Sequence, residues 1–360
     1  MPSGNYYAMI LAGGRGTRFW PRSRRRHAKQ VLRLFGDRSL IQQTVDRLQP
    51  VVKPERIWIL TNKYLRAEII RQLPEVPARQ ILAEPAQRNT APIIALGAQI
   101  LRSIDPEAVM GVFPADHVIG RSGRYRSFLR AAYRAADKGR NMVVLGIQPR
   151  WPETGYGYIE FPEDTRPGDL KPVPVLQFRE KPDAETARRF LAAGRFYWNA
   201  GMFFWRPEVY LDALREFLPQ TATLIASLPP FSSRRFFVAL EKTFPKCANI
   251  SVDYAVLEKA RGVLGLASND LAWSDVGSWN AVYELLARDA HGNVARSEAI
   301  FHDSQGNYVD AEGKLVALLG IHDLVVVDTQ DALLVAERRR AQQVSEIVKI
   351  LEKKNREDLL

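Results

Sequence analysis

The stretch YYAMILAGGRGTRFWPRSRRRHAKQ, residues 6–30, decides the fold in its first half. A short apolar run, 6–12, passes into three glycines within four positions: Gly13, Gly14 and Gly16. A run this short, ended by glycines, reads as a buried strand opening into a loop. Such a loop lets backbone N–H groups approach a phosphate closely. Two common nucleotide signatures are absent. No Gly-Lys-Ser/Thr completes a P-loop, and Phe19 stands where the dinucleotide fingerprint needs its third glycine. Hydride transfer and P-loop ATPase chemistry both lose support. Arg18 and Lys29 add a planar fork of donors and a mobile point charge for phosphate oxygens. The basic run 22–26 reads mostly as solvated flanking charge that draws in anionic substrates.

The same pattern continues outward. Apolar runs at 56–60, 108–113 and 142–147 alternate with helical spacing at 39–48, 64–73, 91–104 and 125–138. Thr90 reads as the cap of the third helix, with Pro92 in its first turn. Strands apolar on both faces, separated by helices, predict an α/β layer fold around a parallel sheet. Ligands of such sheets bind beyond the carboxyl ends of the strands, where the loops at Gly13 and Pro114 lie. After residue 151 the pattern loosens: strands at 156–161 and 174–178, helices at 183–193 and 207–217. The runs 299–302, 308–309, 316–319, 324–327 and 332–336 then predict a small β-helix or sandwich, and 338–351 a terminal helix. A domain boundary is placed near 290, giving segments 1–290 and 291–360. The second segment, β-rich and closed by a helix, is the candidate for self-association.

Composition bounds the rest. The chain has 360 residues, 46% hydrophobic and 25% charged, a soluble globular balance. The single cysteine, Cys247, excludes an internal disulfide and fits a reducing compartment. Neither a secretory start nor an apolar run of roughly 18–20 residues is present, so the expected location is the cytoplasm, with no membrane partner. The net charge of +11 comes from basic residues scattered through the chain, which argues against a nucleic-acid stripe.

Two acidic loops complete the chemistry. Asp116 in FPADH follows a strand end, and Asp275 in WSDVGSW lies between two tryptophans. Two such carboxylates can hold one Mg²⁺, a hard ion that shares its shell with phosphate oxygens. Alone, each reads first as a cap or turn residue and only second as a ligand. The five histidines are dispersed, without zinc spacing, and no GxSxG is present.

These stretches, with EPAQRNTAPIIALGA (84–98), TGYGYIE (154–160), FREKPD (178–183), WNAGMFFW (198–205), SVDYAVLEK (251–259) and VVVDTQDALLV (325–335), occur in one order along nearly the whole chain. In that order they resemble the sugar-nucleotide pyrophosphorylases, and within them the mannose-1-phosphate guanylyltransferases. The resemblance implies a Rossmann-like, mixed but mostly parallel sheet of the nucleotidyltransferase type. It implies GTP and mannose 1-phosphate as substrates, GDP-mannose and pyrophosphate as products, Mg²⁺ as cofactor and a homodimer. It also implies roles. Leu11, Ala12, Gly13, Gly14, Gly16 and Thr17 would cradle the nucleotide phosphates. Arg18 and Lys29 would neutralise the transferring phosphate. Asp116 and Asp275 would hold the metal. Glu84, Arg88, Asn89 and Thr90 would lie near guanine and ribose, the base reader among them left open. Gly155, Glu180 and Asn199 would orient the sugar, and Lys181 would meet its phosphate. Gly201 would also answer to the ligand, whereas SVDYAVLEK reads first as a helix start capped by Ser251. Two departures stand out. Ala28 replaces the proline that usually precedes the lysine, which would free the backbone there. The chain ends at Leu360, before the cupin-type isomerase domain of some relatives, so transferase activity alone is expected. A pyrophosphorylase for another nucleotide and sugar, or an inactive regulatory relative, are the alternatives.

Overall fold

The opening apolar run becomes β1 (Tyr6–Leu11) in the computed structural model, which describes residues 5–360. It is followed by β2 (Ile57–Asn62), β3 (Ile81–Glu84) and β4 (Val109–Pro114). β1 pairs in parallel with both β2 and β4, and β2 with β3. The crossovers are α1 (Leu40–Leu48), α2 (Arg66–Gln72) and α3 (Thr90–Ile104). α1 starts at Ser39, whose hydroxyl and the Gln42 side chain satisfy each other's backbone N–H groups. Alternate strand residues enter two apolar layers, as the period of two requires. Tyr7 and Met9 pack with Ile94 and Leu101 of α3, whereas Ala8 and Ile10 pack with Val45 of α1 on the other face.

The middle of the chain completes the sheet. A short β5 (Val118–Ile119), α4 (Ser122–Asp137) and β6 (Val143–Ile147) precede β7 (Tyr158–Glu160), β8 (Val173–Pro174), β9 (Gln177–Arg179) and α5 (Ala184–Ala193). The long β10 (Phe196–Trp205) then inserts between β4 and β6, antiparallel to both. After α6 (Pro207–Phe217), α7 (Pro219–Ala226) and α8 (Phe236–Thr243) comes β11 (Leu264–Ser268), parallel to β6. The order is β3-β2-β1-β4-β10-β6-β11-β8, with β7 on β10 and β9 on β7. β12 (Trp273–Ser274) pairs with β5, and α9 (Trp279–Leu285) follows. The sheet is therefore mixed, as the family resemblance implies, with β10 the antiparallel strand at its centre.

Beyond α9, β13 (Val294–Ala295), β14 (Ala299–His302), β15 (Tyr308–Ala311), β16 (Val316–Leu319) and β17 (Leu324–Asp328) stack as parallel rungs, closed by the antiparallel β18 (Leu333–Glu337). Buried Asn293 and Asn307 form a ladder inside this coil: the Asn307 amide donates to Asn293 Oδ1 at 3.1 Å and to the Ile321 carbonyl at 2.9 Å. Parallel rungs select the β-helix type over a sandwich. A 3-10 turn at Arg338–Gln343 leads into α10 (Val344–Lys353), so the terminal helix starts later than its apolar spacing predicts. Among the described residues no helix is long and apolar enough to cross a membrane.

Two further expectations change. The cap of α3 is Asn89, not Thr90: Asn89 Oδ1 accepts the Thr90 N–H at 2.8 Å, and Thr90 Oγ1 instead accepts the N–H of Val252. Most of the basic run is not solvated flanking charge. Arg22 pairs with Asp310 at 2.6 Å and with Glu312, Arg24 with Asp331 at 2.9 Å, and Arg25 with Glu357. Those carboxylates all belong to the C-terminal β-rich segment, so the run fastens the two parts of the molecule together.

Candidate active site

The glycine loop leaves β1 with its carbonyls turned inward. Gln30 Nε2 donates to the carbonyls of Ala12 (2.7 Å) and Gly14 (3.0 Å), Asn62 Nδ2 to Gly13, Ser23 Oγ to Arg15, and the Phe19 N–H to Gly16. Among the described residues, the N–H groups of Gly13, Gly14, Arg15 and Gly16 find no protein acceptor. A row of carbonyls tied back and amides left over is a cradle for an anion. Gly16 is required twice over. Its φ is +61°, and a Cβ there would sit 2.7 Å from the Lys29 Cβ, so the loop can lie against the lysine only as glycine.

Lys29 is 6% exposed, which for a charged residue demands partners. Its ammonium meets Asp116 Oδ2 at 2.9 Å and the Asp275 carbonyl at 2.5 Å, beside the Phe19 ring. The β5–β12 ribbon explains the meeting: Trp273 opposite Ile119 and Ser274 opposite Val118 bring the 116–117 and 275–276 turns side by side. Burial raises the Asp116 pKa most strongly of any single influence, but the charge and hydrogen bond of Lys29, with His117 and a backbone N–H, together outweigh it and hold the carboxyl below its ordinary range. His117 next to it is pushed down to about 4 by burial, and its Nδ1 accepts the indole N–H of Trp273 at 3.2 Å. Ala28, for its part, has φ −71° and ψ 165°. A proline would adopt the same backbone, so its replacement leaves the presentation of Lys29 intact.

An open cleft of about 480 Å³ lies over this loop, lined by Leu11, Ala12, Gly13, Gly14, Glu84, Asn89, Thr90 and Asp116. Burial pushes the Glu84 carboxyl up to about 7, against the lowering effect of the Arg88 N–H. Thr17 begins the 3-10 turn Thr17–Phe19, and Arg18 is exposed with one long contact, 3.5 Å to the Gly277 carbonyl. Arg88 turns away: its guanidinium donates to the Pro245 carbonyl, and Gln87 and Asn249 line the cleft instead.

A second cluster lies around β7, β9 and β10. Asn199 donates to Asp253 Oδ1 at 2.9 Å, while Lys181 pairs with Glu180 at 3.2 Å. The Glu180 N–H donates to Glu258 Oε1 at 2.8 Å. Burial and neighbouring Asp253 push the Glu180 carboxyl up to about 6, and burial raises Asp253 as well. Converging carboxylates and an amide suit a polyol. Gly155 does not join them; its N–H is bonded to Glu153 Oε1 at 2.8 Å. Gly157 is the tight position, since a Cβ there would collide with Glu180 Oε2.

The nucleotidyl transferase family model matches residues 7–292, and the MannoseP isomerase/GMP-like beta-helix domain model matches 297–351. A mannose-1-phosphate guanylyltransferase of Klebsiella pneumoniae is 40% identical over 356 residues, 97% of this chain and 74% of its own length. One of Escherichia coli is 41% identical over 354 residues, with the same coverage. The chain belongs to the mannose-1-phosphate guanylyltransferase family. A crystal structure from Thermus thermophilus, described as a mannose-1-phosphate "geranyltransferase", superposes with a TM-score of 0.85 at 32% identity, covering 97% of this chain and 99% of that one. As a member of the guanylyltransferase family the chain is a nucleotidyltransferase, and membership implies a nucleoside triphosphate and a sugar phosphate as its substrates.

Sequence reasoning missed several residues that order these two clusters. Gln30 and Asn62 order the loop, yet their only signal is a polar side chain next to a conspicuous neighbour. Tyr156 donates its hydroxyl to Asp275 Oδ1 at 2.6 Å. Buried Arg47 donates to the His117 carbonyl at 2.7 Å and holds the turn that carries Asp116. Asp253 reads first as part of a helix start, with a substrate contact as the second reading; it begins a π-helical turn, Asp253–Leu257, and Ser251 Oγ does receive the Tyr254 N–H at 3.4 Å.

Proposed function

We propose that this chain transfers GMP from GTP to mannose 1-phosphate by in-line displacement. An oxygen of the sugar phosphate forms a bond to the α-phosphorus as the bond to the β-phosphate oxygen breaks, releasing GDP-mannose and pyrophosphate. The observation that carries the reading is the row of unpaired N–H groups at Gly13–Gly16 beside buried Lys29. The sugar phosphate has a second pKa of about 6, so it attacks as an anion without a strong base. What remains is to bring two anions together and stabilise the charge that develops.

The loop residues Leu11–Thr17 receive the triphosphate through main-chain N–H groups. Arg18 and Lys29 neutralise the oxygens on which charge builds. Glu84, Asn89 and Thr90 face the nucleoside, Arg88 supporting them from behind. A guanine presents N1–H and an amino group on one edge, and the ionised Glu84 carboxylate is an acceptor of matching shape. Glu180 and Asn199 orient the sugar, Asp253 adding a carboxylate, and Lys181 meets the sugar phosphate.

Asp116 and Asp275 are the residues that would hold Mg²⁺. Their chemistry fits: the β5–β12 ribbon brings the turns that carry them side by side, and two carboxylates leave room for waters and phosphate oxygens, as Mg²⁺ prefers. When bound, the ion supplies charge neutralisation at the phosphate oxygens. The remaining expectations are part of the same reading: a catalytic segment 1–290, an associating segment 291–360, a homodimer and a cytoplasmic location. Ile300, Leu315 and Leu319, exposed on the β-rich segment, support self-association.

The test is pyrophosphate release from each nucleoside triphosphate paired with each hexose 1-phosphate. GTP with mannose 1-phosphate is expected to turn over fastest, and Lys29→Ala to lower kcat at least about a hundredfold. Turnover with another pair and none with this one would overturn the substrate reading; unchanged turnover in Lys29→Ala would overturn the phosphate site.

A further inference from the structure

Tyr156 stands where the two halves of the site meet. Its ring is wedged edge-on against Trp198 (5.3 Å between centroids) and Trp273 (5.5 Å), which leaves the hydroxyl one direction to point. That direction ends on Asp275 Oδ1 at 2.6 Å, the short range of a hydrogen bond to a carboxylate. Among the described residues nothing else bonds the Asp275 carboxylate; Lys29 takes only its main-chain carbonyl. The two acidic groups are thus held by different donors, Asp116 by the Lys29 ammonium and Asp275 by the Tyr156 hydroxyl. The backbone of Tyr156 faces the other way: its carbonyl accepts the Lys181 N–H at 3.1 Å, where Lys181 has a φ of +44°.

We infer that Tyr156 is a positioning residue for the metal carboxylate, its hydroxyl holding Oδ1 of Asp275 so that Oδ2 remains presented to the cation. This rests on the reading of Asp275 as a metal ligand. A carboxylate on a turn loses rotational freedom when one oxygen is bonded, and hydrogen bonds behind a ligand set its orientation and basicity. Because the same residue anchors the main chain of Lys181, the loop under the sugar phosphate and the carboxylate under the cation are fixed relative to one another.

The experiment measures Mn²⁺ binding to the full-length protein, without turnover, by the loss of the free-ion electron paramagnetic resonance signal. Tyr156→Phe keeps the ring between its tryptophans and removes only the hydroxyl. It is expected to weaken Mn²⁺ binding about tenfold and to raise the Mg²⁺ concentration for half-maximal rate equally. KM for mannose 1-phosphate should stay within about twofold, since the Lys181 contact is made by backbone. Tyr158→Phe, on the neighbouring strand, loses a hydroxyl bonded to the Glu153 carbonyl and should bind Mn²⁺ as the parent does. Equal Mn²⁺ affinity in Tyr156→Phe and the parent, with Asp275→Asn impaired, would overturn the role of Tyr156 alone. Undiminished binding in Asp275→Asn would overturn the metal reading, and the inference with it.

Discussion

At the scale of single residues, Glu84 is held in tension by its burial. It is a carboxylate at a strand end with no ion-pair partner among the described residues, and burial lifts it to about 7. The sign of its effect on stability follows. Between an unfolded value of about 4.5 and a folded value of about 7, the folded chain binds more protons, so raising pH through this window costs stability. Glu84→Gln removes that loss. By urea unfolding, parent and variant should be equally stable near pH 4.5, and the variant more stable at pH 8. The same change should raise KM for GTP about tenfold or more, because the site loses a charged acceptor. A variant less stable than the parent at pH 8 would show that the carboxylate is internally compensated. The sequence showed Glu84 only as part of EPAQRNTAP. Its burial depends on Gly13 passing over it, where a Cβ would come within 2.8 Å of Glu84 Oε1, and no local pattern records a contact between such distant segments. Lys29 was easier to read, because a lysine beside a glycine loop has few other uses.

At the scale of elements, legibility tracked local pattern. β1, β2, β4 and β6 were visible as apolar runs because both faces of a central strand are buried. β10 was not, since Asn199 and Gly201 interrupt it and WNAGMFFW reads as plain core. Its register with β6 shifts between Asn199 and Phe203, Gly201 takes a φ of +65°, and the Gly201 N–H donates to Asn199 Oδ1 at 3.0 Å. The bulge aims Asn199 at Asp253, a tertiary use of the strand that no local period records. Gly201→Ala should therefore cost about 1–2 kcal/mol in urea unfolding, from left-handed strain. It should also raise KM for mannose 1-phosphate more than KM for GTP. Equal effects on both would mean that the bulge supports the sheet and not the sugar cluster. The β-helix was expected, but only beside a sandwich as the alternative, for another reason. Asn307 is bonded to Asn293, fourteen residues back, and to the Leu324 N–H, seventeen ahead, so unequal rungs hide the repeat.

At the scale of the whole molecule, the glycine loop is not braced by the first 290 residues alone. Phe19 and Trp20, directly after the glycines, share an apolar cluster with Val276, Trp279, Tyr308, Val325 and Val344. The Trp20 indole donates to the Leu359 carbonyl at 3.0 Å, and the Trp279 indole to the Trp20 carbonyl at 3.1 Å. Around this core the ion pairs differ in depth, and depth decides their worth. Arg22 and Asp310 leave 17% and 9% of their side chains exposed, whereas Arg15 and Glu352 leave 41% and 35%. Removing one partner of a sheltered pair strands the other charge, while an exposed pair is screened by water. Arg22→Ala should thus destabilise the protein by about 2–4 kcal/mol, and Glu352→Ala by under about 1 kcal/mol, in urea unfolding at pH 7. Because Arg22 lies between Trp20 and Lys29 in the chain, its loss should also raise KM for GTP, an effect Glu352→Ala should not share. Loss of stability without any change in KM would mean that the C-terminal segment braces the fold but leaves the loop to order itself.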